Sequence, residues 1–265
     1  MHTVKIRKGG NPMENALPAK DRRRGLNRNQ LKYLAILAMT LDHIAWAFVD
    51  PRNPLLGGIL HVFGRLTAPT MTYFLAEGYS YTRNPGKYQL RLAIFALLSW
   101  LPFVYFEIGR LPIFWYGEQL RFFYAQGVIF TLFLGLSAIR LWDSKRFSMP
   151  VKLIGIFLLC LISNIGDWMY MIVLGCLAVH IFRDRPRLKW AAFTLSFLLP
   201  ILALIAEQGF ANSWYQLGVV LSPLLLYFCY NGESGSKTPI HKWFFYWYYP
   251  VHLVILGILR WVIGL

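Results

Sequence analysis

Acidic residues are scarce: 12 Asp and Glu stand against 27 Lys and Arg, and charged residues of all kinds make up only 15% of the chain. A soluble domain carries about 25%, so an ordinary hydrated surface is excluded. Cysteine is equally thin. Cys160, Cys176 and Cys229 all fall in apolar runs, with no C-x-x-C pair and no histidine at zinc-ligand spacing, so neither a disulfide framework nor a metal site is expected. No P-loop, G-x-G-x-x-G or G-x-S-x-G occurs, which leaves nucleotide hydrolysis and serine-hydrolase chemistry without support. The first 30 residues lack the apolar core and small-residue cleavage site of a signal peptide, so no processing is expected. Internal repeats of the kind that build secondary transporters are also missing.

What the chain has is apolar and aromatic surface, at 57% and 17% of its residues. Hydropathy marks nine segments, at about 31–49, 57–80, 88–106, 122–141, 150–165, 167–182, 188–206, 213–230 and 243–264. The expected fold is all-α: a polytopic integral membrane bundle of about nine transmembrane helices, with eight to ten as the range. Segments five and six are separated only by Gly166 and its neighbours, and could form one re-entrant hairpin. Residues 1–30 read as a basic cytoplasmic tail against anionic headgroups, and 31–265 as one transmembrane domain. Lys and Arg alternate between successive loops, with 22 on one side and four on the other. By the positive-inside rule the N-terminus is cytoplasmic and, after nine crossings, the C-terminus is outside. The bilayer therefore accounts for the +15 charge, and no nucleic acid is expected as a partner.

Some residues do not belong in lipid. Asp42 and His43 sit side by side within LKYLAILAMTLDHIAWAFV, where an aspartate costs about 2.5–3.5 kcal/mol on insertion scales. Arg65 and Glu77 lie in segment two, about 18 Å apart along a helix, too far to pair with each other. Pro69 frees the carbonyl of Arg65. Depth arithmetic puts Asp42, His43 and Arg65 at one level, so Asp42 is expected to pair with Arg65 while His43 faces a cavity. A purely structural ion pair between two helices fits the same arithmetic. His252, in WFFYWYYPVHLVILGILRW, lies at similar depth and reads either as a packing residue or as part of that site. Asp167 either caps the helix that follows it or is functional. The outer loop GRLPIFWYGEQLRFFY, with Glu118 and with Glu107 just before it, has the aromatic content of an interfacial lid. In TRNPGKYQLRL, a turn at Asn84-Pro85-Gly86 is followed by Lys87, Tyr88 and Arg91; with Arg83, the basic residues frame a phosphate site or simply supply positive-inside charge.

The blocks LKYLAILAMTLDHI, FGRLTAPTMTYFLAEGYSYTRNPGKYQLRLAIFALLSWLPF and FFYWYYPVHLVIL resemble the TraX family. These are membrane proteins named for acetylating the N-terminus of conjugative pilin. The likeness covers about the first 110 residues and the last 25, is weaker at SNIGDWMYMIVLG and does not extend over 184–240. The basic tail is outside the family pattern. The resemblance implies a place among the transmembrane acyltransferases of the bacterial inner membrane, with cytoplasmic acetyl-CoA as donor and a membrane-embedded histidine.

On that footing the expected activity is acetyl transfer from acetyl-CoA to an amine or hydroxyl. His43 would be general base or transient acetyl carrier, and Arg65, held by Asp42, would stabilise the oxyanion. His252 would position the acceptor or relay a proton. The CoA phosphates would lie on Arg83, Lys87 and Arg91 beside Tyr88. Glu77, Asp167 and Tyr248 stand as substrate-contacting or structural residues. The acceptor is open among a pilin-like peptide, a sugar, a lipid and a small amine. Two other classes compete: a proton-coupled transporter using Asp42, His43, Arg65 and Glu77, and a non-catalytic membrane assembly protein.

Overall fold

A computed structural model describes residues 25–236 and 238–262; most of the expected basic tail, Lys237 and the last three residues lie outside the described residues. The chain is helical almost throughout. α1 (Arg28–Ile44) starts three residues earlier than hydropathy alone indicates, because Asn27 and Gln30 close a reciprocal capping box over its first turn. It runs on into a π-helical turn, Ala45–Val49. Asn-Pro then opens two helices in the same way. Asn53 caps α2 (Pro54–Gly64) and Asn84 caps α4 (Pro85–Ile108), each with proline at the first helical position, where no N–H is missed.

The expected second segment is not one helix. It breaks after Gly64, and α3 (Thr67–Tyr81) begins beyond Arg65 and Leu66. The fold is all-α as expected; the strands β1 (Ile113–Tyr116) and β2 (Gln119–Phe122) add only a short antiparallel hairpin in the aromatic loop. The aromatic run Phe114-Trp115-Tyr116 before a turn at Gly117, with Phe122 beyond it, favours pairing over helix. The remaining helices are α5 (Val128–Asp143), α6 (Met149–Ser163), α7 (Met169–Ile181), α8 (Pro186–Gln208), α9 (Phe210–Ser213), α10 (Leu221–Cys229) and α11 (Pro239–Val262). A 3₁₀ stretch, Trp214–Val220, joins α9 to α10.

Helices cover all nine hydropathy segments. By length and composition three are sufficient to cross a membrane: Arg28–Val49, Pro85–Ile108 and Pro186–Gln208. The packing is inside-out relative to a soluble protein. α6 exposes Leu153, Ile154, Phe157 and Leu161, while Asp42, His61, His180 and His252 are buried. An apolar exterior around polar interior groups is the signature of a membrane protein. The core lies between α3, α5 and α7, around Phe74, Leu136, Ile139, Ile172 and Val173. Cys160, Cys176 and Cys229 are all free.

The 3₁₀ stretch meets α2 backbone to backbone. A Cβ on Gly218 would lie 2.1 Å from the Val62 carbonyl oxygen, with no flexible side chain there to yield. Gly218→Ala is expected to cost about 1–3 kcal/mol through forced backbone shifts, measured as a lowered unfolding temperature in detergent. Gly86→Ala, where the nearest atom would be 3.5 Å away, should leave that temperature unchanged.

Candidate functional site

The break between α2 and α3 turns Arg65 back across the bundle onto α1. Its Nη2 donates to both Asp42 oxygens at 2.8 Å, so the pair expected from depth is present. Side chains of both residues are 12% exposed. The guanidinium lies 5.2 Å over the Trp168 ring and 5.9 Å over that of Tyr215. Nη1 reaches Gln216 only at 3.4 Å, and Nε is buried with no partner among the described residues. Trp168 takes φ +63°, and Met169 φ +43° follows it. Left-handed backbone at two non-glycine residues is costly and concentrates at functional sites. Here it aims the indole at Arg65. Trp168, with no side-chain bond, occupies the N-cap of α7, so Asp167 does not cap that helix. Asp167 lines a cavity instead.

That cavity, of about 680 Å³, is also lined by Asp42, His43, Arg65, Glu107 and Arg260. His43 Nδ1 lies 2.8 Å from the Met39 carbonyl. A carbonyl only accepts, so Nδ1 carries a proton, and in the neutral ring Nε2 keeps its lone pair. The same logic holds for His252, whose Nδ1 is 2.9 Å from the Tyr248 carbonyl and whose Nε2 is buried without a partner among the described residues. The two imidazoles meet edge to face at 5.0 Å. Tyr248 stacks on His252 and hydrogen-bonds Thr40 at 2.7 Å, fixing α11 to α1 at this level.

His61 belongs to the site and was missed by sequence reasoning. Its Nδ1 is 2.8 Å from Asp42 Oδ1 and its Nε2 is 3.0 Å from Asp50 Oδ2, between the rings of Trp46 and Tyr215. The signal was available. A histidine in the apolar run GGILHVFGR is as anomalous as His43, but Arg65 and Glu77 drew attention in that segment.

A second cavity, of about 320 Å³, sits toward the opposite ends of α1, α4 and α11, and both cavities border the start of α5. On α1 it is lined by Lys32 where the first is lined by Met39. On α4 the corresponding residues are Arg91 and Phe103, on α11 Tyr246 and Tyr249, and on α5 Ile129 beside Val128. Tyr88 and Arg91, both expected near a phosphate, line it; Arg83 and Lys87 do not. Arg28, Lys32 and Lys242 line it without having been anticipated. Lys32, Arg91 and Lys242 form no ion pair among the described residues. Glu77 is at this end, bound by Arg28 at 2.7 Å and by the Tyr230 hydroxyl at 3.0 Å. Glu77 is thus outside the Asp42–Arg65 group, and the four residues of a transporter relay do not form one chain. Among the described residues no histidine, cysteine and carboxylate cluster has the makings of a metal site.

Known proteins add the following. A family model described as TraX protein matches residues 27–260, including the 184–240 stretch that the motif blocks leave uncovered. The probable fimbrial assembly protein FimC, serogroup H1, of Dichelobacter nodosus is 34% identical over 238 residues, covering 86% of this chain and 93% of that protein. No solved structure matches.

Proposed function

Since this chain belongs to the TraX family, we propose that it is an inner-membrane acetyltransferase that uses acetyl-CoA to acetylate an amine, on a protein of fimbrial or pilus assembly. The observation that carries this reading is the pair of cavities set end to end along α1, α4 and α11. One is lined by Lys32, Arg91 and Lys242, which form no ion pair among the described residues, and the other by His43 and Arg65. The basic cavity is on the cytoplasmic side, and its Lys32, Arg91 and Lys242 take the CoA phosphates by charge-assisted hydrogen bonds. From Lys32 to His43 the helix climbs about 16 Å, a span for the pantetheine arm to cover. The acceptor occupies the larger cavity.

His43 Nε2 takes a proton from the acceptor amine as its nitrogen attacks the thioester carbonyl carbon. The oxyanion that forms is held by the donors Arg65 does not spend on Asp42. The C–S bond then breaks, and His43 returns the proton to the departing thiolate. His252 lies beside His43 and steadies its ring.

Acetyl-CoA should raise the unfolding temperature of the purified full-length chain. The double variant Lys32→Ala/Arg91→Ala should weaken that binding tenfold or more, since a hydrogen bond to a charged group contributes about 1.5 kcal/mol or more. No stabilisation of the wild-type chain by acetyl-CoA would remove the donor from the reading.

A further inference from the structure

Gly57, His61 and Gly64 share one face of α2, at i, i+4 and i+7. A Cβ on Gly57 would stand 1.7 Å from Asp50 Oδ1, and one on Gly64 2.2 Å from Asp42 Oδ1. The face is a cradle for two carboxylates, and the His61 ring stands between them with its side chain 3% exposed. Two carboxylates accept and do not donate, so both ring nitrogens have to supply protons. Neutral imidazole has only one. Counting Arg65, the doubly protonated ring gives two cations and two anions, a closed set in a place where an unbalanced charge is costly.

We propose that His61 is an imidazolium that positions Asp42, and through it Arg65, for transfer; its chemical role rests on the acetyltransferase reading above. Asp42 Oδ1 receives His61 and Arg65 together, which pins the guanidinium through a single nitrogen. Nη1, whose one contact is Gln216 at 3.4 Å, is thereby left for an oxyanion. Asp50 holds the second proton of the ring. The π-helical turn places it there: the widened turn after Ile44 carries Trp46 and Asp50 round to the His61 side.

The full-length chain labelled with ¹⁵N-histidine in nanodiscs tests the charge. At pH 7.5 both ring nitrogens of His61, assigned by their loss in His61→Gln, should carry protons. A single-tautomer neutral spectrum would overturn the proposal. Asp50→Asn keeps an acceptor for Nε2 but removes the charge, and should convert the ring to the neutral form; an unchanged spectrum would show that Asp50 does not hold it. For positioning, acetyl transfer from acetyl-CoA to a short apolar peptide with a free α-amino group is measured. His61→Gln should lower kcat about 10–100-fold, the scale of a 1 Å misplacement, with KM for acetyl-CoA unchanged. Adding Asp50→Asn restores net neutrality and should recover most of the loss; a mere packing role predicts no recovery. Wild-type kcat in His61→Gln would sink the positioning role. If the wild-type chain transfers no acetyl, or transfers it equally with His43→Ala, the acetyltransferase reading fails while the spectrum still decides the charge on His61.

Discussion

His43→Ala is expected to lower acetyl transfer to the probe peptide by about 10²–10⁴-fold, the range that a positioned general base contributes. The geometry behind this is specific. Met39 fixes the Nδ1 proton, so Nε2 is the basic atom, and it makes no hydrogen bond among the described residues. His43 packs edge to face on His252 and Phe106 and takes part in no ion pair among the described residues, so its removal should leave the unfolding temperature nearly unchanged. His43→Gln should be as inactive as alanine, because it keeps the polarity without the base. An active His43→Ala would show that the proton leaves by another group, and the role of His43 as base would be lost.

The second large effect is on stability. Asp42→Ala is expected to destabilise the chain by about 3–5 kcal/mol, because Arg65 and His61 then keep their charge without the carboxylate between them. Thermal unfolding in detergent reads this directly. Replacing both partners with apolar residues, Asp42→Leu with Arg65→Met, should return much of the stability, as buried ion pairs often break even against good packing. It should return none of the transfer activity. Recovery of both would mean that the pair only joins two helices, the structural alternative that the spacing left open.

The pairing of Asp42 with Arg65 and the placing of His43 on a cavity were legible because helix rise is constant, so residue count converts to depth. Apolar run length located the helices for the same reason. Other features were not legible, for definite reasons. A π-helical turn lies between Asp42 and Asp50, so ideal 3.6-residue spacing does not give the side on which Asp50 emerges. Lys32 and Lys242 look like ordinary positive-inside charge until the fold sets them around one cavity with Arg91. Asp167 reads as a helix cap, but the left-handed backbone at Trp168 moves the helix start past it. The hairpin at 113–122 was hidden because aromatic residues satisfy a lipid interface and a strand equally well.

The break between α2 and α3 has a consequence for how the chain reaches its membrane. Neither half is long enough to partition as a span by itself, at 11 and 15 residues, and the junction carries an arginine. That arginine becomes acceptable to lipid only once Asp42 meets it, and Asp42 becomes acceptable on the same condition. α1 and the α2–α3 pair are therefore expected to enter the membrane together, with the two charges matched. A chain that loses either partner should fail first at insertion, and protease accessibility of α1 during synthesis would register the fault before any assay of the finished protein.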